Sequence, residues 1–236
     1  MQNRLLSYLA APDLALLAPH LKRVALEQGS VLQEPETSIE TVYFPMSGAV
    51  SLLAVMKGGE AVEIASVGRE GAVGLSARSG PWQAHAKAIV QVPGIATTIP
   101  APLLRLAMVQ SEQIRDVMIR HMETLWAQTE QLAACNALHS VEERLARWLL
   151  QMSDRIGNAE LPVTQETLSQ MLGVRRTTVT LVAQKLQEDG LIRYRRGHIV
   201  ILDPVGLRAL ACECCQAHRR VEEHFRQADS VASISA

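Results

Sequence analysis

Six basic side chains crowd between Leu172 and Val200: Arg175, Arg176, Lys185, Arg193, Arg195 and Arg196. Only Glu188 and Asp189 oppose them, so the local charge is +4 in a chain whose formal net charge is -1. A cationic island in a near-neutral chain is suited to a polyanion, and its binding should weaken with salt. Arginine can donate two hydrogen bonds to guanine O6 and N7. Threonine can bond a base edge or touch a thymine methyl. Arg175, Arg176, Thr177 and Thr180 are therefore the candidates for reading base edges. Lys185, Arg193, Arg195 and Arg196 are the candidates for holding phosphates.

These residues need elements to aim them. Thr164 is an N-cap for a helix over Gln165–Leu172, with Leu168, Met171 and Leu172 on its apolar face. Gly173 breaks that helix, as a tight helix-helix turn requires. A second helix follows over about Arg175–Glu188, with Val179, Val182 and Leu186 inward. After Gly190 comes a hairpin: Leu191–Tyr194, a turn at Arg195–Gly197, then His198–Leu202. The unit Thr164–Leu202 thus reads as a winged helix-turn-helix for double-stranded DNA. Charge alone would suit a solvated surface. The glycine turn, the basic helix start and the arginine wing together favour DNA.

Residues 24–100 have a different texture. Short apolar runs recur at Val24–Leu26, Val31–Leu32, Thr41–Phe44, Val50–Val55, Ala61–Ala65, Ala88–Val92 and Ala96–Ile99, punctuated by glycines. The pattern predicts an antiparallel β-barrel or jelly roll. Leu103 to about Asn136 contains neither Gly nor Pro and predicts one long helix. Met118, Met122, Leu125, Thr129, Leu132 and Asn136 repeat at heptad spacing along it, the pattern of a homodimer seam. The alternative is a helix packed on its own barrel. A further helical face spans Ser140 to Met152, followed by a polar loop at Asp154–Glu160. A tail helix is expected from Pro204 through about Gln227. The fold class is α+β. The expected division is a barrel over 1–102, a dimerisation helix over 103–138, a DNA-binding domain over 139–210 and a tail over 211–236.

Other classes fit poorly. The N-terminus lacks a signal-peptide pattern and no stretch is apolar enough to span a bilayer, so a cytoplasmic protein without a membrane role is expected. No nucleophile–base pair or phosphate loop marks an enzyme. The four cysteines make a poor disulfide framework. Cys212 and Cys215 are three apart, and Cys214 and His218 four apart. Each pair could bind a metal or act in a redox switch, but buried small hydrophobes are the plainer reading.

The stretch TQETLSQMLGVRRTTVTLVAQKLQEDGLIRYRRGHIVI, with VYFPMSGAVSLL and VGREGAVGL earlier, resembles the Crp/Fnr family of bacterial transcription regulators. The resemblance runs over nearly the whole chain. It implies a cyclic-nucleotide-type barrel, a dimer helix and a winged helix-turn-helix on a near-palindromic operator, with RNA polymerase as a partner if the protein is an activator. The family's frequent Arg-Glu pair in the recognition helix is Arg176-Thr177 here, so the operator should differ. The family's Gly-Glu and Arg-Ser cassette aligns with Gly71-Ala72 and near Ala84-His85. The acidic residue and the phosphate-binding arginine are both missing, so cyclic AMP is not the expected ligand. Two readings stay open: an unknown small effector near Gly71, Ala72, Val73, Trp82, Ala84 and His85, or no effector at all, with regulation through expression level. No cofactor is expected: no cysteine precedes Cys135 to hold an iron-sulfur cluster, and His20, His85 and His121 are lone candidates for haem. A rival reading is a ligand-binding regulatory module without a DNA role.

Overall fold

Seven strands form where the seven apolar runs lie. They are β1 (Lys22–Leu26), β2 (Val31–Gln33), β3 (Thr41–Pro45), β4 (Ala49–Val55), β5 (Ala61–Val67), β6 (Lys87–Val92) and β7 (Gly94–Pro100). The computed structural model describes residues 3–76 and 81–216. All pairings among these strands are antiparallel. They make two sheets, ordered β1-β7-β3 and β2-β6-β4-β5. Leu26 and Ala96 of one sheet meet Val50, Val67, Ala88 and Val90 of the other in a shared core. Gly48, at φ +79°, permits the entry to β4: a Cβ there would lie 2.5 Å from the Val92 carbonyl oxygen. Ahead of the strands, α1 (Ala11–Leu17) is flanked by short 3-10 turns.

The expected long helix is two helices, α2 (Ala101–Gln110) and α3 (Glu112–Leu138). Ser111 is extended at φ -124°, ψ 121° and caps α3 by accepting from the Ile114 N–H at 3.1 Å. Its hydroxyl also donates to Asp13 Oδ1, which ties the break to α1. A capping serine inside a Gly- and Pro-free run is enough to restart a helix.

The seam expected on α3 also needs correction. Met118 is fully buried and Leu132 is 9% exposed within the chain's own core. Ile114, Met118, His121, Gln128, Leu132 and Cys135 form a buried strip, with half-buried Leu125 packed against the barrel core. Beside it runs an outward strip at the same heptad spacing: Ile119, Met122, Trp126, Thr129, Ala133 and Asn136. Met122, Thr129 and Asn136 of the expected seam belong to that outer strip, whereas Met118, Leu125 and Leu132 face inward.

The C-terminal part holds α4 (Val141–Ile156), β8 (Glu160–Leu161), α5 (Gln165–Leu172), α6 (Arg176–Glu188), β9 (Ile192–Arg195), β10 (His198–Ile201) and α7 (Pro204–Leu210). Ser140 and Glu143 form a capping box at the start of α4, and Gly157 ends it in the left-handed region. Two loop assignments change. α4 continues through Ile156, and Glu160 joins a third strand paired with β10. The expected tail helix is interrupted after Leu210, where Ala211 is extended, and residues 214–216 are helical again. Residues beyond 216 lie outside the described residues.

The two halves share one apolar core. Ala49 and Leu53 of the barrel pack with Leu145, Trp148, Leu149, Leu168, Met171 and Leu172. Polar ties cross the same boundary. The Trp148 indole N–H donates to Glu63 Oε1 at 3.1 Å, and Ser51 donates to Glu63 Oε2 at 2.5 Å. Arg155 Nε donates to Glu70 Oε1 at 2.9 Å. Burial alone would raise the Glu70 pKa, but Arg155 and backbone hydrogen bonds outweigh it and hold the carboxyl below its ordinary value. For Glu63 burial wins, and its pKa is raised. No helix among the described residues is long and apolar enough to cross a membrane.

Candidate nucleic-acid interface

Thr164 caps α5, its Oγ1 accepting from the Thr167 N–H at 3.1 Å. Gly173 then turns the chain at φ 62°, ψ 39°, and Arg175 is the N-cap of α6. Val179, Ala183 and Leu186 bury the inner face of α6. Arg176, Thr177, Leu181, Gln184 and Lys185 are left exposed. No side chain caps the first turn of α6. Its N–H groups therefore add partial positive charge beside Arg176.

The wing is a two-residue hairpin. Arg195 and His198 pair across it, and Arg196 and Gly197 have φ 45° and φ 83°. Two successive positive φ values are the signature of a type I′ turn. A left-handed arginine costs about 1 kcal/mol, yet it places Arg196 at the hairpin tip. Tyr194 holds the wing to the helices. Its hydroxyl accepts from the Gln165 N–H at 3.1 Å, and its own N–H donates to Gln187 Oε1 at 2.9 Å. Arg175, Arg193, Arg195 and Arg196 are exposed, and none makes an ion pair among the described residues.

Arg176 and Thr177 stand outward at the start of α6, but three other candidates are placed less directly. Arg175 lines a cleft with Glu60, Gly58 and Gly59 of the β4–β5 hairpin and with Glu166. The half-buried Thr180 hydroxyl lies 3.1 Å from Gln165 Oε1 and 3.0 Å from the Arg176 carbonyl oxygen, so it holds the helix rather than standing free. Lys185 is exposed and its Nζ lies 2.7 Å from Glu142 Oε2 on α4, an ion pair that raises its pKa. Gln165 escaped the sequence reading. Its Oε1 accepts from Thr180 and, at 3.4 Å, from Arg176 Nε, so it orients the first turns of α6. Its place one residue after an N-cap was the available signal.

Most of the expected effector positions are buried. Ala72, Val73, Trp82 and Ala84 are 1–3% exposed, and Ala72, Trp82 and Ala84 belong to one apolar cluster. His121 of α3 fills the space beside Gly71, where an added Cβ would strike its ring. Its Nε2 lies 3.0 Å from Ala72 N and 3.1 Å from Ala72 O, and burial lowers its pKa. His85 is exposed. A small cavity of about 20 Å³, room for about one water molecule, lies between β5, α3 and α4, lined by Glu63, Gln128, Arg147 and Gln151. Gln128 Oε1, Arg147 Nε and Gln151 Nε2 are buried there without hydrogen-bond partners among the described residues.

The arrangement has known counterparts. The sequence pattern of the Crp-like helix-turn-helix domain matches residues 143–210. The chain is 24% identical over 192 residues to the global nitrogen regulator of Synechococcus elongatus, covering 77% of this chain and 86% of that protein. It is 25% identical over 193 residues to the transcriptional activator protein FnrA of Stutzerimonas stutzeri, covering 79% of each. The structure of FixK2 from Bradyrhizobium japonicum superposes with a TM-score of 0.70 at 18% identity, covering 81% of this chain and 98% of that one.

Proposed function

Taking the chain as a transcription regulator of the Crp/Fnr type with a helix-turn-helix DNA-binding domain, we propose that it binds a near-palindromic operator as a homodimer. One observation carries this reading. Arg176 and Thr177 stand outward on the first turn of α6, flanked by wing arginines that no described acid neutralises. Arg176 and Thr177 read base edges in the major groove. Gln165 and Thr180 keep that turn in place. Arg193, Arg195 and Arg196 hold phosphates, and Arg175 supports them at the helix start. The functional division is a barrel over 1–102, a dimerisation segment over 103–138, a DNA-binding domain over 139–210 and a tail over 211–236.

Dimerisation uses the outer strip of α3. Trp126 is 70% exposed and Ile119 38% exposed on a helix whose opposite strip is already buried. Large apolar groups at heptad spacing on a free helix face call for a second helix, and the same strip of another copy satisfies the symmetry. Two recognition helices then meet half-sites about one helical turn apart. Contact with RNA polymerase goes with an activating role.

A gel shift of the full-length chain against genomic fragments tests the reading. Discrete complexes that weaken steeply with salt and survive excess scrambled competitor are expected. No shift, or equal retention of every fragment, favours a regulatory module without a specific DNA role.

A further inference from the structure

Three of the four cysteines converge on one histidine. Cys135 sits in the last turn of α3 and His139 is its C-cap, while Cys212 and Cys214 follow α7. The four donor atoms all lie within 4.8 Å of one another. Cys135 Sγ is 3.6 Å from Cys212 Sγ, and Cys214 Sγ is 3.6 Å from His139 Nδ1. This corrects the Cys212–Cys215 pairing read from sequence. Cys212 and Cys214 turn toward α3, and Cys215 packs into the main apolar core. His218 lies outside the described residues.

We propose that Cys135, His139, Cys212 and Cys214 form a binding site for a single thiophilic divalent ion, zinc by preference. The spacing fits the chemistry. With Zn–S near 2.3 Å and Zn–N near 2.05 Å, tetrahedral thiolates lie about 3.8 Å apart and a thiolate lies about 3.6 Å from an imidazole nitrogen. A polynuclear iron–sulfur cluster would hold its thiolates farther apart.

The surroundings are those of a metal site. The second ring nitrogen of His139, Nε2, lies 3.2 Å from Glu213 Oε2, an outer carboxylate that fixes which nitrogen faces the sulfurs. Gln131 Nε2 donates to Cys214 Sγ at 3.0 Å. Arg147 and Arg144 on α4 supply positive charge near an anionic three-thiolate set. Cysteines acting only as small hydrophobes would not gather a histidine, its carboxylate and an amide donor. Four protein ligands complete a tetrahedron, so the ion is structural. It clips the end of α3 to the segment that leaves the DNA-binding unit, joining residues 77 apart in the chain.

The test uses the full-length chain, reduced and stripped with a chelator, then titrated with Co²⁺ and afterwards Zn²⁺. One Co²⁺ per chain is expected, with thiolate-to-cobalt charge-transfer absorption and the visible bands of tetrahedral cobalt, both erased by Zn²⁺. Cys212→Ser and Cys214→Ser abolish the bands, Cys215→Ser keeps them, and Glu213→Gln weakens binding about tenfold. Thiol labelling of the unmutated chain gives an answer independent of variant folding: Zn²⁺ protects three cysteines. The proposal is overturned by absent charge-transfer bands, by labelling that Zn²⁺ leaves unchanged, or by a reduced chain that takes up no ion but oxidises to a Cys135–Cys212 disulfide. None of these readouts involves DNA, so failure here leaves the operator-binding reading intact.

Discussion

The DNA-facing unit and the barrel positions around Ala72 treat their polar chemistry in opposite ways. In the first, four arginines project into solvent without described acidic partners. In the second, His121 fills the space beside Gly71 and hydrogen-bonds to Ala72. Charge left unneutralised at a surface awaits a partner, whereas a buried polar group already satisfied has found one. The contrast fits the proposal that recognition lies at the C-terminal unit.

Substitutions can break this contrast. Glu70→Ala acts on the buried side. It leaves Arg155 buried without its carboxylate and should lower unfolding free energy by about 3 kcal/mol, measured by urea titration. A loss below about 1 kcal/mol would mean that the two halves are not tied there. Trp126→Glu acts on the outer strip of α3. It should weaken self-association by at least about 2 kcal/mol while leaving the fold intact, as sedimentation and circular dichroism would show. Unchanged association would remove α3 from the dimer. Arg196→Asn acts on the wing tip. Asparagine accepts the left-handed backbone, so stability should hold or rise slightly. DNA affinity should fall by about 1.5 kcal/mol on every sequence, and the salt slope by about 1 per protomer. Lower stability with unchanged affinity would make Arg196 a structural residue.

The smallest effect concerns pH. Burial lowers the His121 pKa below 6.5, so the unfolded chain takes up this proton first as pH falls. Its contribution is complete above about pH 6.5 and is lost progressively below it. Thermal unfolding should therefore weaken between about pH 7 and 5.5, and His121→Gln should flatten that slope. The Glu70 contribution is lost at lower pH, because its lowered pKa lies below the ordinary carboxylate value of 4.5. An identical slope in His121→Gln would assign the dependence to other groups.

Much of this was legible locally. All seven barrel strands fall on apolar runs bounded by turn residues, and α5 spans the residues its N-cap and glycine stop imply. Distance in sequence hid the rest. The Trp148–Glu63 and Arg155–Glu70 contacts each join residues 85 apart, and no periodicity encodes them. The cysteine cluster needed Cys135 and His139 brought to Cys212 and Cys214. On α3, two strips of equal heptad period run side by side, so spacing alone could not tell inward from outward. Trp126, the most exposed large group of the outer strip, was the discriminating residue. Ser111 shows the reverse case, a local capping signal overridden by a long run without glycine or proline.

The central claim is that α6 reads sequence while the wing holds the backbone. Binding curves for Arg176→Ala and Arg195→Ala, each on a selected operator and on scrambled DNA, test it most directly. Arg176→Ala should lose about 1–3 kcal/mol on the operator and little on scrambled DNA, whereas Arg195→Ala should lose equally on both. Equal losses on both DNAs for Arg176→Ala would contradict the account.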